Sequence, residues 1–403
     1  VKPTSKFNWV KFNLLFLKMD KIFFTDEHNM LVEMIRDFAK NEIIPIAQKL
    51  DESEEFPKGL VNQMSELGLM GIPIPKELGG AGMDMVAYAA AVMELAKADA
   101  SVAITMAAHT SLGTIPILIA GTEEQKKKYV PSLASGQMIG AFGLTEQEAG
   151  SDAGATKTTA IKNGSGYTIN GGKMFITNAG EAGLINITSR IIEAGENRGI
   201  GAFIVPTDTA GLKLSAKEKK MGWRASDTRQ LFFEDMYVPA ENMLGTPGKG
   251  FKTFLKTLTG GRISIAALSV GTAIGAYERA LKYATERKAF GKEIHEFQAV
   301  SFKLADMATE IEAAKLLTFH AAWMKDQGMN IIKEAAMAKL FASETAMRTT
   351  TEAIQILGGY GYVKEYDVER YFRDAKILEI GEGTSEIQRI IIAKNILNAV
   401  KGL

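Results

Sequence analysis

The chain contains no cysteine. Disulfides, thiolate metal sites and a cysteine nucleophile are therefore excluded. Histidine is almost as scarce: His28, His109, His295 and His320 lie far apart, with no HExxH pattern among them, so no metal site is expected. Charge of either sign is not in excess, with 47 Lys and Arg against 47 Asp and Glu. No basic stripe is interleaved with aromatics, and nucleic acid is not expected as a partner. No uninterrupted apolar run is long enough for a membrane span. The most apolar stretch, around 100–120, is broken by Ser101, Thr105, His109, Thr110 and Ser111 and reads as a buried helix. Also missing are a GxGxxG opening a helix after a strand, a GxxxxGK[ST] loop and a GxSxG elbow, so common dinucleotide, P-loop and hydrolase signatures give no support.

The first 18 residues, "VKPTSKFNWVKFNLLFLK", hold a five-residue apolar run between lysines and no arginine, which is short of an export signal and unlike a transit peptide. Met19 reads as a natural start, and residues 1–18 are expected to be an extension outside the fold. With no cysteine and no signal, a cytoplasmic location is the expectation.

What is present is the composition of an ordinary globular protein, 403 residues with 46% apolar and 23% charged, enough for two or three domains. Its texture changes twice. Over 19–137 the periodicity is helical: Leu31, Met34, Ile35 and Phe38 fall on one face, and "TEEQKKKYVPSLASG" reads as a short helix with a proline stop. Over 138–250, "YTINGGKMFITN" reads as a hairpin turning at Asn170-Gly171-Gly172. "LINITSRII", "GAFIVP" and "RQLFFEDMYVP" read as further strands of an antiparallel domain. Over 251–403 long Ala- and Ser-rich helices return, separated by glycine-containing loops, as in a four-helix bundle. The fold class is therefore α+β, mostly α, in the order helical domain, antiparallel β-domain, helical bundle.

Several glycine- and hydroxyl-rich stretches could carry chemistry. "GLTEQEAGSDAGA" (143–155) follows a strand and crowds Thr145, Gly150, Ser151 and Asp152, a turn able to aim N–H and hydroxyl groups at a phosphate or ring carbonyl. An ordinary loop with Asx and Ser turns reads the same way. "KMFITN" sets Phe175 and Thr177 on one strand face at period two, an aromatic beside a hydroxyl. Arg287 ends a long helix, where the dipole favours a cation in any case. Arg262 stands early in an apolar helix behind two glycines and either snorkels or meets an anion. In "EIGEGTSEIQ", only Glu382 has glycine on both sides, as would suit a glutamate that touches a bulky ligand. Ser385 and Gln388 fit a capping box that starts the last helix just beyond it.

The order of these segments resembles the acyl-CoA dehydrogenase family, most of all its short-chain, butyryl-CoA type, over essentially all of 19–403. "GLTEQEAGSD" is similar to the family's first signature, and "QILGGYGY" with "RDAKILEIGEGTSEIQR" to its C-terminal one. The resemblance implies FAD between the β-domain and the bundle, with Phe142, Leu144 and Thr145 at the flavin ring and Gly150 in the same turn. Ser151 would lie near the flavin phosphates and the acyl-CoA, with Phe175 over the flavin and Thr177 near its N5. It also implies that Arg287, Phe290 and Gln298 reach a neighbouring subunit's FAD, and that Gln355–Gly359 binds that cofactor across the same interface, in a homotetramer. Thr384 and Glu386 would lie near FAD, and Arg262 and Gly383 near the substrate. Glu382 matches the catalytic base, which would take the α-proton of the thioester while the β-hydride goes to the flavin. Gly381 and Gly383 would let thioester and flavin approach the backbone.

The activity implied is dehydrogenation of a short acyl-CoA to a trans-2-enoyl-CoA, with electrons passing to an electron-transferring flavoprotein. Some members carry the base just before the arginine of the long helix, where this chain has Gly261. Departures are Gln147 for a usual proline, Gly381 for a frequent tyrosine and Thr259 for an aspartate that commonly contacts CoA. Competing readings are another chain length or branched specificity, an oxidase, and a non-catalytic family member acting as a binding partner.

Overall fold

The computed structural model describes residues 20–401, so the expected extension at 1–18 lies outside the described residues. The N-terminal part is helical: α1 (Asp20–Phe23), α2 (Asp26–Phe38), α3 (Ala47–Ser53), α4 (Lys58–Glu66), α5 (Met85–Ala98), α6 (Ala100–Ala108), α7 (Ile115–Ala120) and α8 (Glu123–Ala134). Helix α2 starts where Thr25 Oγ1 accepts the His28 N–H, and α8 starts on a Thr122–Gln125 capping box. The α2 face is as periodicity predicts, with Val32, Ile35 and Phe38 buried and Leu31 and Met34 packed beside them. Pro131 does not stop α8. It sits inside the helix, which runs on to Ala134, because the residue costs α8 one N–H bond and other turns hold it.

The middle part is one seven-stranded sheet of β1 (Ile139–Gly143), β2 (Thr159–Asn163), β3 (Gly166–Thr177), β4 (Ala182–Glu193), β5 (Glu196–Pro206), β6 (Leu212–Leu214) and β7 (Thr228–Pro239). It is mixed rather than wholly antiparallel. β4 takes β1 and then β2 in parallel along one edge, and β5 antiparallel along the other. The crossovers are made by other strands of the sheet, so no helix announces them in the sequence.

The Asn170-Gly171-Gly172 hairpin is also corrected. These residues lie inside β3, which runs unbroken from Gly166 to Thr177, and the turn is at Asn163–Gly166. What the glycines mark is a register shift against β7, where Asn170 Oδ1 accepts the Asp235 N–H at 2.8 Å and its Nδ2 donates to Asp235 Oδ1 at 3.0 Å. A bulge and a two-residue turn share the same local composition.

The C-terminal part is built of α9 (Gly250–Glu286), α10 (Gln298–Asp326), α11 (Ile332–Leu357), α12 (Val368–Lys376) and α13 (Ser385–Lys401). The four long ones are those expected, and short α12 is added between α11 and α13. Helix α9 has 37 residues and is buried almost continuously from Gly260 to Glu278. It packs on α5, α10 and α11, and its small residues permit that close approach. Because α9 begins at Gly250, Arg262 lies well inside the helix rather than early in it. Both apolar helical spans long enough to cross a membrane, Ala100–Ala120 and Gly250–Glu286, are mostly buried in the protein, as core helices are.

Two contacts fix where the parts meet. Neutral His109 accepts the Gly140 N–H on Nδ1 and donates to the Leu133 carbonyl from Nε2, each at 3.0 Å; burial pushes its pKa down to about 4. That ring seats β1 on the helical domain. Arg370 of α12, itself buried, donates to Asp99 and, at 2.8 and 2.9 Å, to Asp367. Removing the arginine would leave buried Asp99 without its cation, while Asp367 keeps Arg279 at 2.9 Å. The Arg370→Met variant is therefore expected to lose about 3–5 kcal/mol of stability, read as a fall in the denaturant midpoint.

Candidate active site

The α12–α13 connection carries Glu382. A 3-10 turn, Ile377–Glu379, ends with the Gly381 N–H donating to the Ile377 carbonyl at 2.8 Å. Glu382 then adopts φ 51° and Gly383 φ 96°, two successive left-handed residues. For Glu382 that conformation is strained, since it is not a glycine. At Gly383 it calls for glycine, and a Cβ there would also lie 2.7 Å from Gln388 Nε2. Gly381 has negative φ and only an ordinary contact, so the local fold does not require it.

The cap of α13 is not the Ser385–Gln388 box. Thr384 is the N-cap, its Oγ1 taking the Ile387 N–H at 3.4 Å. Gln388 instead turns back and donates from Nε2 to the Gly383 carbonyl at 2.8 Å. One residue of register separates the two arrangements, and the strained turn before the helix decides between them.

The Glu382 carboxyl points at α9. A Cβ built on Gly261 would stand 2.2 Å from Glu382 Oε2, so the glycine is the gap the carboxylate occupies. Leu112, from the turn between α6 and α7, closes the same gap, 3.5 Å from that Cβ position. Oε2 is buried and has no hydrogen-bond partner. Around it stand Arg262 of α9, Lys339 of α11 and Tyr88 of α5, all buried. Burial pushes the Glu382 pKa up to about 7, against the pull of Lys339 and Arg262. Burial also lowers the Arg262 pKa and brings Lys339 down to about 8, while Glu382 acts in the opposite sense on both. Arg262 Nε is buried without a partner. A base with an idle oxygen and a pKa near neutrality can take a proton from a substrate carbon that abuts it, and can hold that proton.

A second group of predicted residues lies where β1 leaves the sheet. Phe142 stacks on Phe254 of α9, centroids 4.1 Å apart, and Leu144 shares that core. Phe254 is about two helical turns from Arg262, so this core and the Glu382 site share one scaffold. Thr145 is half-buried and its carbonyl accepts the Met174 N–H at 2.8 Å, which brings the first signature onto "KMFITN". The period-two reading of that strand fails locally. β3 slips register between Lys173 and Ile176, Phe175 takes φ 59° and projects 62% exposed, and Thr177 is half-buried.

Underneath, buried Lys173 donates to Glu146 Oε1 at 2.6 Å, Thr188 Oγ1 at 3.1 Å and the Leu144 carbonyl at 3.2 Å. Glu146 in turn accepts the Lys157 and Thr158 N–H groups. That pair organises the loop, whereas Gly150 and Ser151 are exposed on it.

A third group lies at the far end of α9. Arg287 and Gly359 line one cleft of about 480 Å³ with Tyr283, Gly358 and Tyr360, and the guanidinium sits 5.7 Å from the Tyr360 ring centre. Gln355, Phe290 and Gln298 are exposed and do not line it, Phe290 at 96%. Glu386 is exposed, and Glu379 is paired with Lys376 at 2.6 Å.

Models of the acyl-CoA dehydrogenase N-terminal, middle and C-terminal domains match residues 25–137, 141–236 and 248–397. The chain belongs to the acyl-CoA dehydrogenase family. It is 54% identical to a probable acyl-CoA dehydrogenase of Bacillus subtilis over 93% of this chain and 98% of that one. It is 48% identical to a short-chain specific acyl-CoA dehydrogenase of Clostridium acetobutylicum over 92% and 98%. Among solved structures, butyryl-CoA dehydrogenase from Megasphaera elsdenii superposes with a TM-score of 0.91 at 45% identity, covering 93% and 99%. A chain from a structure described as the electron transferring flavoprotein of Acidaminococcus fermentans gives 0.91 at 45%, covering 93% and 98%. An acyl-CoA dehydrogenase from Bacillus anthracis complexed with FAD gives 0.89 at 38%, covering 94% and 68%.

Sequence reasoning missed Lys339 and the Lys173–Glu146 pair. Lys339 had a signal, since it falls on the face of α11 that buries Ala335, Ala336, Ala342 and Ser343. Lys173 had none, because strand position alone does not pair it with a loop glutamate.

The raised pKa of Glu382 is also a statement about stability. Its contribution is fully present below about pH 4.5, the ordinary carboxyl value, and is lost as pH rises through about 7. Glu382→Gln is therefore expected to raise the melting temperature of the protein at pH 9, with the gap closing by pH 4. Thermal scans of both proteins across that range check it.

Proposed function

We propose that this enzyme dehydrogenates short acyl-CoA thioesters, butyryl-CoA foremost, to trans-2-enoyl-CoA, with Glu382 as the base. The observation that carries the reading is the half-buried Glu382, its Oε2 buried, unpartnered and lodged against the gap at Gly261. An α-proton beside a thioester is weakly acidic, so its removal calls for a base with a pKa near neutrality rather than in the ordinary carboxylate range. Glu382 takes that proton, while Arg262 and Lys339 offset the negative charge it carries beforehand. The turn through Gly383 fixes where the carboxyl stands, and Leu112 lines the same gap at Gly261.

FAD fits the residues present, and when bound it supplies the acceptor for the β-hydride. An aromatic side chain that is bulky, held in a left-handed bulge and open, as Phe175 is, offers a surface for a planar ring; Thr177 and the Thr145 loop lie beside it. The cleft at Arg287, Gly358 and Gly359 joins a cation to bare backbone, as a pyrophosphate needs. Exposed Phe290, Gln298 and Gln355 around it would be completed by a second subunit of a homotetramer. The names of the relatives favour the short-chain substrate, and the flavoprotein structure favours an electron-transferring flavoprotein as the electron partner.

In this reading Glu382→Gln retains FAD and loses turnover with butyryl-CoA, because an amide takes no proton. Gly261→Ala puts a methyl where Oε2 stands and is expected to lower turnover about 100-fold, as a misplacement near 1 Å does. Dye-coupled assays with flavin absorbance as the measure of retention test both. Full activity in Glu382→Gln would place the base elsewhere.

A further inference from the structure

The Glu382–Gly383 turn is held from an unexpected direction. Lys339 is 0% exposed, in the middle of α11, and its Nζ donates to the Gly383 carbonyl at 2.8 Å. Gln388 of α13 donates to the same oxygen, also at 2.8 Å, and lies 3.4 Å from the Glu382 carbonyl. Two donors on two helices thus converge on the carbonyl that follows the strained residue. A buried ammonium is costly unless paired, yet Lys339 forms no direct ion pair among the described residues.

The charges that face Lys339 are Glu382, Glu379 and Glu386 from the connection and α13, and Arg262 from α9. Glu386 is exposed and lies next to Arg389, and Glu379 is bonded to Lys376. Glu382 is therefore the carboxylate left to answer the ammonium. Glu382 itself is faced by Lys339, Arg262 and, from α5, Tyr88, whose hydroxyl donates to the Ala107 carbonyl at 2.9 Å.

We infer that Lys339 is the positioning residue of the base: its ammonium clamps the Gly383 carbonyl, so that Glu382 is held toward Gly261, and its charge keeps the carboxylate ionised in a dry site. The inference rests on Glu382 being the base. Lys339 touches neither substrate nor cofactor in this scheme and acts only through the turn. Hold and charge are separable. Gln388 supplies a hydrogen bond to the same oxygen without charge, whereas Lys339 supplies both.

The test uses the flavin-loaded protein and butyryl-CoA, measuring the rate of flavin bleaching against pH in Lys339→Gln, Lys339→Arg, Gln388→Met and Glu382→Gln. Loss of the cation disfavours the carboxylate, so Lys339→Gln is expected to shift the rising limb of the profile upward by about one pH unit or more. Lys339→Arg is expected to restore the limb close to its original place. Gln388→Met is expected to slow bleaching with the limb unmoved, since it loosens the turn and leaves the charge. A Lys339→Gln profile that overlays the parent's, with Glu382→Gln inert, overturns the role of Lys339 alone. Bleaching that persists in Glu382→Gln overturns the base, and this inference with it. If Lys339→Gln does not fold, Lys339→Arg decides: a limb displaced by about one pH unit with charge retained contradicts the inference.

Discussion

Keeping one carboxyl oxygen out of water is the constraint on which the rest of this structure depends. A carboxylate in an apolar interior is expensive, and an unpartnered oxygen more so. Glu382 is tolerated because two cations, Arg262 and Lys339, stand near without touching it, and because Gly261 leaves it room. Gly261 and Arg262 come from α9, Lys339 from α11 and Glu382 from the connection before α13, and the long helices α9 and α11 bring them to one level. The cations carry their own burial cost, visible in the lowered pKa of both. What the group gains collectively is a carboxyl near neutrality rather than a permanently ionised or permanently protonated one.

The remainder of the fold can be understood as support for that arrangement. Arg370 fixes α12 through Asp99 and Asp367, and α12 leads directly into the turn that bears Glu382. His109 seats β1 on the helical domain, and the Phe142–Phe254 stack ties β1 to the same α9 that carries Gly261 and Arg262. The Lys173–Glu146 pair sets the loop after β1 against β3. Glu382 and Phe175 are among nine described non-glycine residues with positive φ, and both stand at the proposed site.

Much of this was legible in the sequence, and the parts that were not share a physical reason. The helical, β, helical order follows from periodicity, because a 3.6 repeat and a 2.0 repeat are distinguishable over about ten residues. Glu382 stood out through its flanking glycines, though only Gly383 is required by the turn. Local signals failed where long-range contacts choose between arrangements of similar local energy. Asn170-Gly171-Gly172 serves a bulge against β7 instead of a turn, Gln388 holds a carbonyl instead of a capping box, and β4 accepts parallel neighbours without a helical crossover. Lys339 was visible as a lysine on an apolar helix face, but its partner is a carbonyl 44 residues away.

The most direct measurement is the titration of the Glu382 carboxyl itself, by infrared difference spectroscopy between the parent protein and Glu382→Gln across pH 4 to 9. A protonated-carboxyl band, absent in the variant, is expected to disappear with a midpoint of about 7. A midpoint near 4.5, the ordinary carboxyl value, would mean that the carboxyl is solvated, and would contradict the dry, charge-balanced site described for it.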